Sequence, residues 1–105
     1  MEETVAIVWS CAARKILFLS HAVRQMSRRD RTITGAEVRR VVEAGELVED
    51  YPDDPRGRSC LMFAVCGGRP IHVVCAPKVE YLAVITAYIP DADDWQTDWK
   101  TRIHA

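Results

Sequence analysis

The sequence predicts an α+β domain in which two or three helices pack on a four- to five-stranded, mainly antiparallel sheet. Two patterns carry this prediction. Residues 59–90 contain three short runs of β-branched and aromatic residues separated by turn residues, which is typical of a three-stranded antiparallel meander. Residues 2–14, 21–29 and 35–44 instead place apolar residues at helical spacing. Because 105 residues are enough for one hydrophobic core, we expect a single domain over residues 1–105.

The N-terminal part of the chain is predicted to form a helix, a short strand and a second helix. Residues 2–14 carry apolar side chains three or four positions apart, and residues 15–19 form a short apolar run. Ser20 offers a side-chain oxygen to unpaired backbone amides. We therefore expect Ser20 to cap a helix over residues 21–29.

Thr34 and Glu37 give a clear signal for the start of a third helix. Their spacing is that of a capping box, in which each side chain binds the backbone N–H of the other residue. We predict that this helix covers residues 35–44 and that Gly45 ends it in the left-handed conformation. Residues 46–51 then follow as a strand.

The turn at Gly67-Gly68 sets the register predicted for the first hairpin of the meander. Two-residue hairpin turns need positive φ, which glycine adopts without a Cβ clash. A turn there places Cys66 opposite Arg69. Further along the hairpin, Phe63 pairs with His72. Because side chains alternate between the faces of a sheet, Arg69 and His72 are expected on opposite faces.

Two further segments are predicted to lie outside the helices and strands. Residues 52–58 hold two prolines and a glycine, so we predict a loop that carries Arg56 and Arg58 to the rim of the sheet. Trp95 and Trp99 are four residues apart, so one helical turn would dock both on the body of the domain. The alternative is that the two tryptophans stay exposed and bind a partner.

Composition and spacing indicate a cytoplasmic protein without a metal or cofactor. No apolar run approaches the ~20 residues of a membrane span, and acidic residues stand where a signal peptide would be basic. Four cysteines without a CxxC spacing and three scattered histidines form no zinc motif. The predicted hairpin places Cys60 opposite Cys75. A disulfide is compatible with that pairing, but reduced thiols are favoured in a cytoplasmic chain.

The net charge of −1 argues against a generic nucleic-acid coat protein, but the charges are unevenly distributed. Between Arg14 and Arg40 stand eight Lys or Arg and two acidic residues. Between Asp91 and Asp98 stand four aspartates and no basic residue. This asymmetry predicts a basic and an acidic face on one small domain. The basic segment fits a solvated helix surface and an anion-binding surface equally well.

His72 and Tyr88 are candidates for proton transfer, with His21 as a third. Histidine, with a pKa of about 6.5, suits proton transfer near neutral pH. If Lys78-Val79 forms the second turn, Tyr88 lies on the face of Arg69. A one-residue change in the length of that loop would move Tyr88 to the face of His72. The competing interpretations are a buried, hydrogen-bonded His72 and a helix-capping His21.

RNA cleavage is a reaction to which such residues are suited. RNA is cut when its own 2′-hydroxyl attacks the adjacent phosphate, which needs a base, an acid and cations. This chemistry needs no metal. The candidate phosphate ligands are Arg24, Arg56, Arg58 and Arg69.

Five ordered segments resemble a bacterial family of small proteins catalogued as a domain of unknown function. Its members often read S-x-H-A, then R-P-L-H-V-V, then a final strand that ends in T-x-Y-x-P. The matching segments of this chain lie between Ile16 and Trp99. They are Ser20-His21-Ala22, the helix from Thr34 to Gly45, Tyr51-Pro52-Asp53-Asp54, Arg69-Pro70-Ile71-His72-Val73-Val74 and Thr86-Ala87-Tyr88-Ile89-Pro90.

That family is similar in architecture to the RelE/ParE and MqsR toxins. The resemblance implies a RelE-like fold and a type II toxin that cuts mRNA, including ribosome-bound mRNA. It also implies neutralisation by a zinc-finger antitoxin similar to MqsA. The lack of a long apolar run argues against a membrane partner, and the sequence leaves the oligomeric state open, with a homodimer compatible with it. Arg69, His72 and Tyr88, with His21 and Arg24, match the residues that line such a site.

One feature qualifies the toxin interpretation, and one alternative function remains open. Toxins of this kind are strongly basic, and this chain carries a net charge of −1. The alternative function is a non-catalytic interaction module that binds another protein through an open sheet edge or through Trp95 and Trp99.

Overall fold

Three helices and one five-stranded sheet make up the computed structural model, which describes residues 2–104. The helices are α1 (Glu2–Arg14), α2 (Ser20–Met26) and α3 (Gly35–Ala44); the strands are β1 (Ile16–Phe18), β2 (Glu46–Tyr51), β3 (Ser59–Cys66), β4 (Arg69–Pro77) and β5 (Leu82–Tyr88). The strand order is β1-β5-β4-β3-β2, in which β1 runs parallel to β5 and the other neighbours are antiparallel. The predicted α+β class is confirmed, as a mixed sheet with three helices.

The two faces of the sheet have different coverings. The helices pack on one face, which we call the helix face, through a core that includes Val38 and Val41 of α3 and Met62, Ile71 and Val73 of the sheet. The opposite face, which we call the open face, carries the alternate residues of each strand. Residues 91–104, which we call the C-terminal tail, cover part of the open face.

The first hairpin has the predicted register. Gly67 and Gly68 take φ values of 58° and 79°, as a two-residue turn of this kind requires. The pairings of Cys66 with Arg69 and of Phe63 with His72 are both present. Arg69 and His72 therefore lie on opposite faces of the sheet. Cys60 and Cys75 also pair as predicted; their Sγ atoms are 3.8 Å apart and both are free thiols.

Helix α3 begins as predicted but ends differently. Both hydrogen bonds of the Thr34–Glu37 capping box are present. Gly45 was expected in the left-handed conformation, and this is wrong: its φ of −83° and ψ of −177° are extended. A glycine is needed there for another reason. A Cβ atom at this position would collide with the backbone carbonyl groups of Val41 and Phe63.

The prediction that Ser20 caps α2 is also wrong. Leu19 occupies the N-cap position, and no side chain caps the helix. The reason is the sheet: the N–H of Leu19 donates to the carbonyl of Val84 at 3.0 Å, which extends the pairing of β1 with β5 up to Leu19. The helix can therefore start directly at Ser20, and it ends at Met26 rather than near residue 29.

The C-terminal tail is a series of turns, so the predicted helical turn through Trp95 and Trp99 is wrong. The carboxylates of Asp91 and Asp98 accept hydrogen bonds from backbone N–H groups two residues later. Such side-chain bonds favour turns over helix. The expected docking is confirmed for Trp95, which is 4% exposed. Within residues 2–104, no helix has the length and apolar character needed to cross a membrane.

Candidate active site

A β-bulge in β5 brings Tyr88 and His72 onto the same face. Near the turn, Cys75 pairs with Val84, whereas beyond it Val74 pairs with Thr86, so one residue of β5, Ile85, is left without a partner. A four-residue turn with regular pairing would leave Tyr88 on the helix face. The extra residue instead places Tyr88 directly opposite His72. Of the two arrangements that the sequence left open, the structure has the one with both side chains on the open face.

Both ring nitrogens of His72 are hydrogen-bonded in a fully buried position. Nε2 lies 2.7 Å from the carbonyl oxygen of Trp99, and Nδ1 lies 3.3 Å from the hydroxyl of Tyr88. A carbonyl oxygen can only accept, so Nε2 carries the proton and donates it. In the neutral ring Nδ1 is then an acceptor, towards which the Tyr88 hydroxyl donates. Burial lowers the pKa of His72, which favours this neutral form.

Three aromatic rings surround His72 with their planes steeply inclined to the imidazole. The ring centroids of Trp95, Tyr88 and Phe63 lie 4.5, 5.3 and 5.7 Å away. Trp95 belongs to the C-terminal tail, so the tail closes this position from the solvent side. As a result, the hydrogen bond to Tyr88 is the link between the His72 ring and the solvent-exposed surface.

Tyr88 lies in an open cleft, which we call the Tyr88 cleft, between the end of α2 and the C-terminal tail. The cleft has a volume of about 430 Å³. Its lining includes Arg28, Trp95, Arg102 and His104, together with the acidic Asp91 and Asp94. A smaller hollow beside it adds Gln25 and Arg31. Residues from three separate segments therefore meet around one phenol. A larger depression of about 710 Å³ is lined by residues 77–81 alone and joins no two elements, so it is the weaker candidate.

Arg102 is held in the Tyr88 cleft by a network on β2. Its Nε and Nη2 atoms donate to the Glu49 carboxylate at 2.8 and 3.0 Å, and its guanidinium stacks 4.6 Å from the centre of the Trp95 ring. The hydroxyl of Tyr51 donates to the same carboxylate. The bond from Arg102 lowers the pKa of Glu49, and burial with the adjacent carboxylate raises the pKa of Tyr51 to about 12. This network fixes the tail over His72.

The protonation state of Tyr88 follows from its position. The side chain is half-buried, and burial raises the pKa of its phenol. The hydroxyl therefore keeps its proton at neutral pH and directs it at Nδ1 of His72. The pair is a donor and an acceptor aligned for proton transfer, with the phenol oxygen towards the cleft.

Two of the predicted phosphate ligands are engaged elsewhere. Arg69 lies on the helix face, where it donates to Glu37 at 2.7 Å and to the carbonyl of Thr32 at 3.0 Å. This contact contributes to the lowered pKa of Glu37, against the opposing effect of burial. Arg58 is bound to Thr4 and, at 3.4 Å, to Asp50. Neither guanidinium lies on the lining of the Tyr88 cleft.

The three remaining predicted residues are exposed but do not line the Tyr88 cleft. His21 lies in the first turn of α2 and Arg24 in its last turn, but neither residue is among those that border the cleft. Arg56 lines a separate groove on the open face. Sequence reasoning missed Arg102 and His104 because they follow the last strand, where no periodic pattern indicates which side chains turn inward. Arg28 is one of the eight basic residues between Arg14 and Arg40, and nothing in the sequence distinguished it from the others.

A comparison with protein families matches residues 18–89 to DUF4258, a domain of unknown function. The match covers more than half of the chain. The protein belongs to the DUF4258 family. A search of curated proteins and a search of solved structures each returned no match. The DUF4258 match ends at Ile89, directly after Tyr88, so it includes both members of the His72–Tyr88 pair but not the tail that covers them.

A metal centre built from clustered side chains is not found between residues 2 and 104. No three His, Cys, Asp or Glu side chains there converge as ligands.

Proposed function

We propose that this DUF4258 protein is an endoribonuclease of the toxin type and that RNA is cut in the Tyr88 cleft. The observation that carries the proposal is the hydrogen bond between the Tyr88 hydroxyl and neutral His72 at an open cleft. Around this pair stand Arg28 and Arg102, which are cations suited to a phosphate, and the imidazole of His104. These groups meet the three needs of RNA self-cleavage, namely a base, an acid and positive charge.

The proposed reaction uses the pair as a proton relay. The 2′-oxygen of a ribose forms a bond to phosphorus as the bond from phosphorus to the 5′-oxygen breaks. The proton of the 2′-hydroxyl moves to the oxygen of Tyr88, whose own proton moves to Nδ1 of His72. His104 gives a proton to the departing 5′-oxygen. The products are a 2′,3′-cyclic phosphate and a 5′-hydroxyl. His72 then returns its proton through Tyr88 to water, and His104 takes up a proton from water, so that both imidazoles regain their starting states.

The charge that develops on phosphorus is stabilised by the arginines of the cleft. Arg28 forms only an exposed, 3.4 Å pair with Asp30, so it can turn to a phosphate at little cost. Arg102 is positioned by Glu49 through two of its three nitrogens, which leaves Nη1 for the substrate. Asp91 and Asp94 lower the positive potential of the cleft. We therefore expect slow cleavage rather than a highly efficient enzyme.

The role of His72 in this proposal differs from the one that the sequence suggested. A direct contact with RNA is not possible beneath Trp95 and Tyr88. His72 instead orients the phenol and takes up its proton. The carbonyl of Trp99 holds Nε2–H and so stabilises the positive charge that the imidazole acquires during the reaction.

The biological part of the proposal comes from the resemblance to RelE/ParE and MqsR toxins. The protein would act on mRNA in the bacterial cytoplasm, and a zinc-finger antitoxin similar to MqsA would neutralise it. For the alternative interaction module, Trp95 is docked and buried, whereas Trp99 is partly exposed. The sheet edges, with the exposed Leu17 of β1, remain available to the antitoxin.

Expression in bacteria tests the proposed function. The wild-type chain should slow growth and fragment mRNA. Tyr88→Phe removes only the hydroxyl and should reduce cleavage by about 10²–10⁴-fold, the usual contribution of a positioned proton-transfer group. Tyr81→Phe is the matched control, because Tyr81 lies in the turn at the far end of the sheet, and it should behave as wild type. Equal growth and intact mRNA in all three strains would contradict the proposal.

A further inference from the structure

A second concave site lies on the open face, next to the loop of residues 52–58. This groove, which we call the Arg56 groove, has a volume of about 140 Å³. Its apolar lining comes from Leu19, Ala76, Ala83 and Ile85. Ala76 and Ala83 are a directly paired couple on neighbouring strands, and their small side chains leave the hollow between the larger ones. The volume is below the ~300–1,000 Å³ of a site that encloses a whole drug-sized ligand, so the groove suits one unit of a longer ligand.

The rim of the Arg56 groove is positively charged. The Arg56 side chain is 80% exposed. Among the described side chains of residues 3–104, none forms a salt bridge with the Lys78 ammonium. The one acidic residue of the groove, Asp54, already accepts from the backbone and side chain of Arg56 and from Ser59. These bonds lower the pKa of Asp54, with the backbone N–H of Arg56 as the main cause. The positive charge of Arg56 and Lys78 therefore makes the rim suited to binding an anion.

Gly57 brings the two cations of the rim together. Its φ of 106° is in the range that glycine adopts readily, and it turns the loop so that Arg56 borders the groove. A Cβ atom on Gly57 would lie 3.0 Å from the Nζ atom of Lys78. The absence of a side chain therefore leaves room for the ammonium beside Arg56.

The Arg56 groove and the Tyr88 cleft lie along the same face of the same strand pair. Ala83 pairs with Ala76 and Tyr88 pairs with His72, and both pairs face away from the helices. At ~3.3 Å per residue, the five residues from Ala83 to Tyr88 span about 16 Å. Between the two sites, Val74 and Thr86 are partly exposed and form a continuous surface.

We propose that the Arg56 groove is a second nucleotide subsite for single-stranded RNA whose scissile phosphate lies in the Tyr88 cleft. Arg56 and Lys78 hold a phosphate of the strand, and the apolar lining receives the attached base or sugar. Binding of single-stranded RNA uses both features of the groove, because the cations attract the charged backbone and the apolar surface contacts the flat bases. This inference rests on the proposed function, and it adds that the substrate extends several nucleotides from the cleavage site.

The test compares a groove variant with a variant of equal charge. The groove variant carries Arg56→Gln and Lys78→Gln. The control variant carries Arg39→Gln and Arg40→Gln; these two arginines lie on α3, which packs on the opposite face of the sheet. The probe is a fluorescent, 2′-O-methylated oligoribonucleotide of roughly ten nucleotides, within the usual site size of single-strand binding domains. Its affinity is measured by anisotropy over a range of salt concentrations. Cleavage is measured on a normal RNA of the same length and on a dinucleotide, which is too short to reach the groove.

The groove variant should bind the long probe about tenfold more weakly than the control. Its salt dependence should fall by about 0.7 in logarithmic slope, because the two cations hold one phosphate and each phosphate contact contributes ~0.7 on single strands. It should cut the long RNA more slowly but the dinucleotide at the wild-type rate. A second variant, Ala83→Leu, fills the groove without changing the charge and should also weaken binding of the long probe. Its fold is checked by circular dichroism.

Three results would overturn the subsite. In the first, the groove variant and the control bind the long probe with the same affinity and salt slope while the wild type cuts RNA, so the nuclease proposal stands alone. In the second, dinucleotide cleavage falls as much as long-RNA cleavage, which places the two cations at the reacting phosphate. In the third, the wild type neither binds nor cuts RNA, and the proposed function falls with the subsite.

Discussion

Replacement of Trp95 by alanine tests whether the C-terminal tail is a packed part of the domain and the cover of His72. The indole is 4% exposed, its centroid lies 4.5 Å from that of His72, and Arg102 stacks on it. Truncation of a buried Trp costs about 3–5 kcal/mol. We expect a value near 3 kcal/mol, because the Arg102–Glu49 pair still anchors the tail. With ~4 °C or more per kcal/mol in a domain of this size, the melting temperature should fall by about 12 °C.

Two measurements decide this prediction. Urea unfolding gives the change in the free energy of unfolding, and the histidine ring signals in NMR give the pKa of His72. In the wild type, burial holds this pKa below its ordinary range, and in Trp95→Ala it should rise towards about 6.5. Trp9→Ala is the control, because Trp9 is 45% exposed on α1, and it should leave the His72 titration unchanged. An unaltered stability and an unaltered His72 pKa in Trp95→Ala would refute the packing described for the tail.

Three further predictions concern stability. The buried, neutral His72 has a lowered pKa, so its contribution to stability is complete above the unfolded pKa of about 6.5 and is lost as the pH falls towards the lower folded value. Urea unfolding between pH 7 and pH 5 should show this loss in the wild type and in the exposed-site control His21→Gln, but less of it in His72→Phe. Gly45→Ala should destabilise the fold by about 1–3 kcal/mol, the usual cost of overpacking, whereas Gly35→Ala, whose Cβ would meet only one ring atom at 3.7 Å, should be close to neutral in thermal melts. Thr34→Ala removes one half of the capping box and should cost ~1 kcal/mol by the same assay.

The elements that sequence reasoning predicted well are those specified by local chemistry. The capping box sets the start of α3, and Gly67-Gly68 sets the register of the β3–β4 hairpin, because each depends on residues a few positions apart. The wrong predictions concern features that are determined by contacts between residues far apart in the sequence. The start of α2 is set by the bond from Leu19 to Val84, which are 65 positions apart. Gly45 is required by the approach of β3 rather than by its own φ.

The candidate site was less predictable for the same physical reason. Tyr88 reaches the face of His72 only because Ile85 forms a bulge, and no residue type in β5 indicates where a bulge will form. The burial of His72 depends on a tail whose turns are locally encoded by Asp91 and Asp98 but whose docking depends on Trp95 and the distant β2. The sequence therefore named His72 and Tyr88 as candidates but did not predict the bulge that brings them together.

The most direct test of the proposed chemistry is the identity of the ends on RNA cut by the purified protein. Attack by the 2′-hydroxyl predicts a 2′,3′-cyclic phosphate on one fragment and a 5′-hydroxyl on the other, with no cleavage at a linkage whose ribose carries a single 2′-deoxy substitution. The Tyr88→Phe variant should produce the same ends far more slowly. Fragments with 5′-phosphate and 3′-hydroxyl ends, or cleavage at the 2′-deoxy linkage, would show that another nucleophile attacks and would contradict the role assigned to Tyr88 and His72.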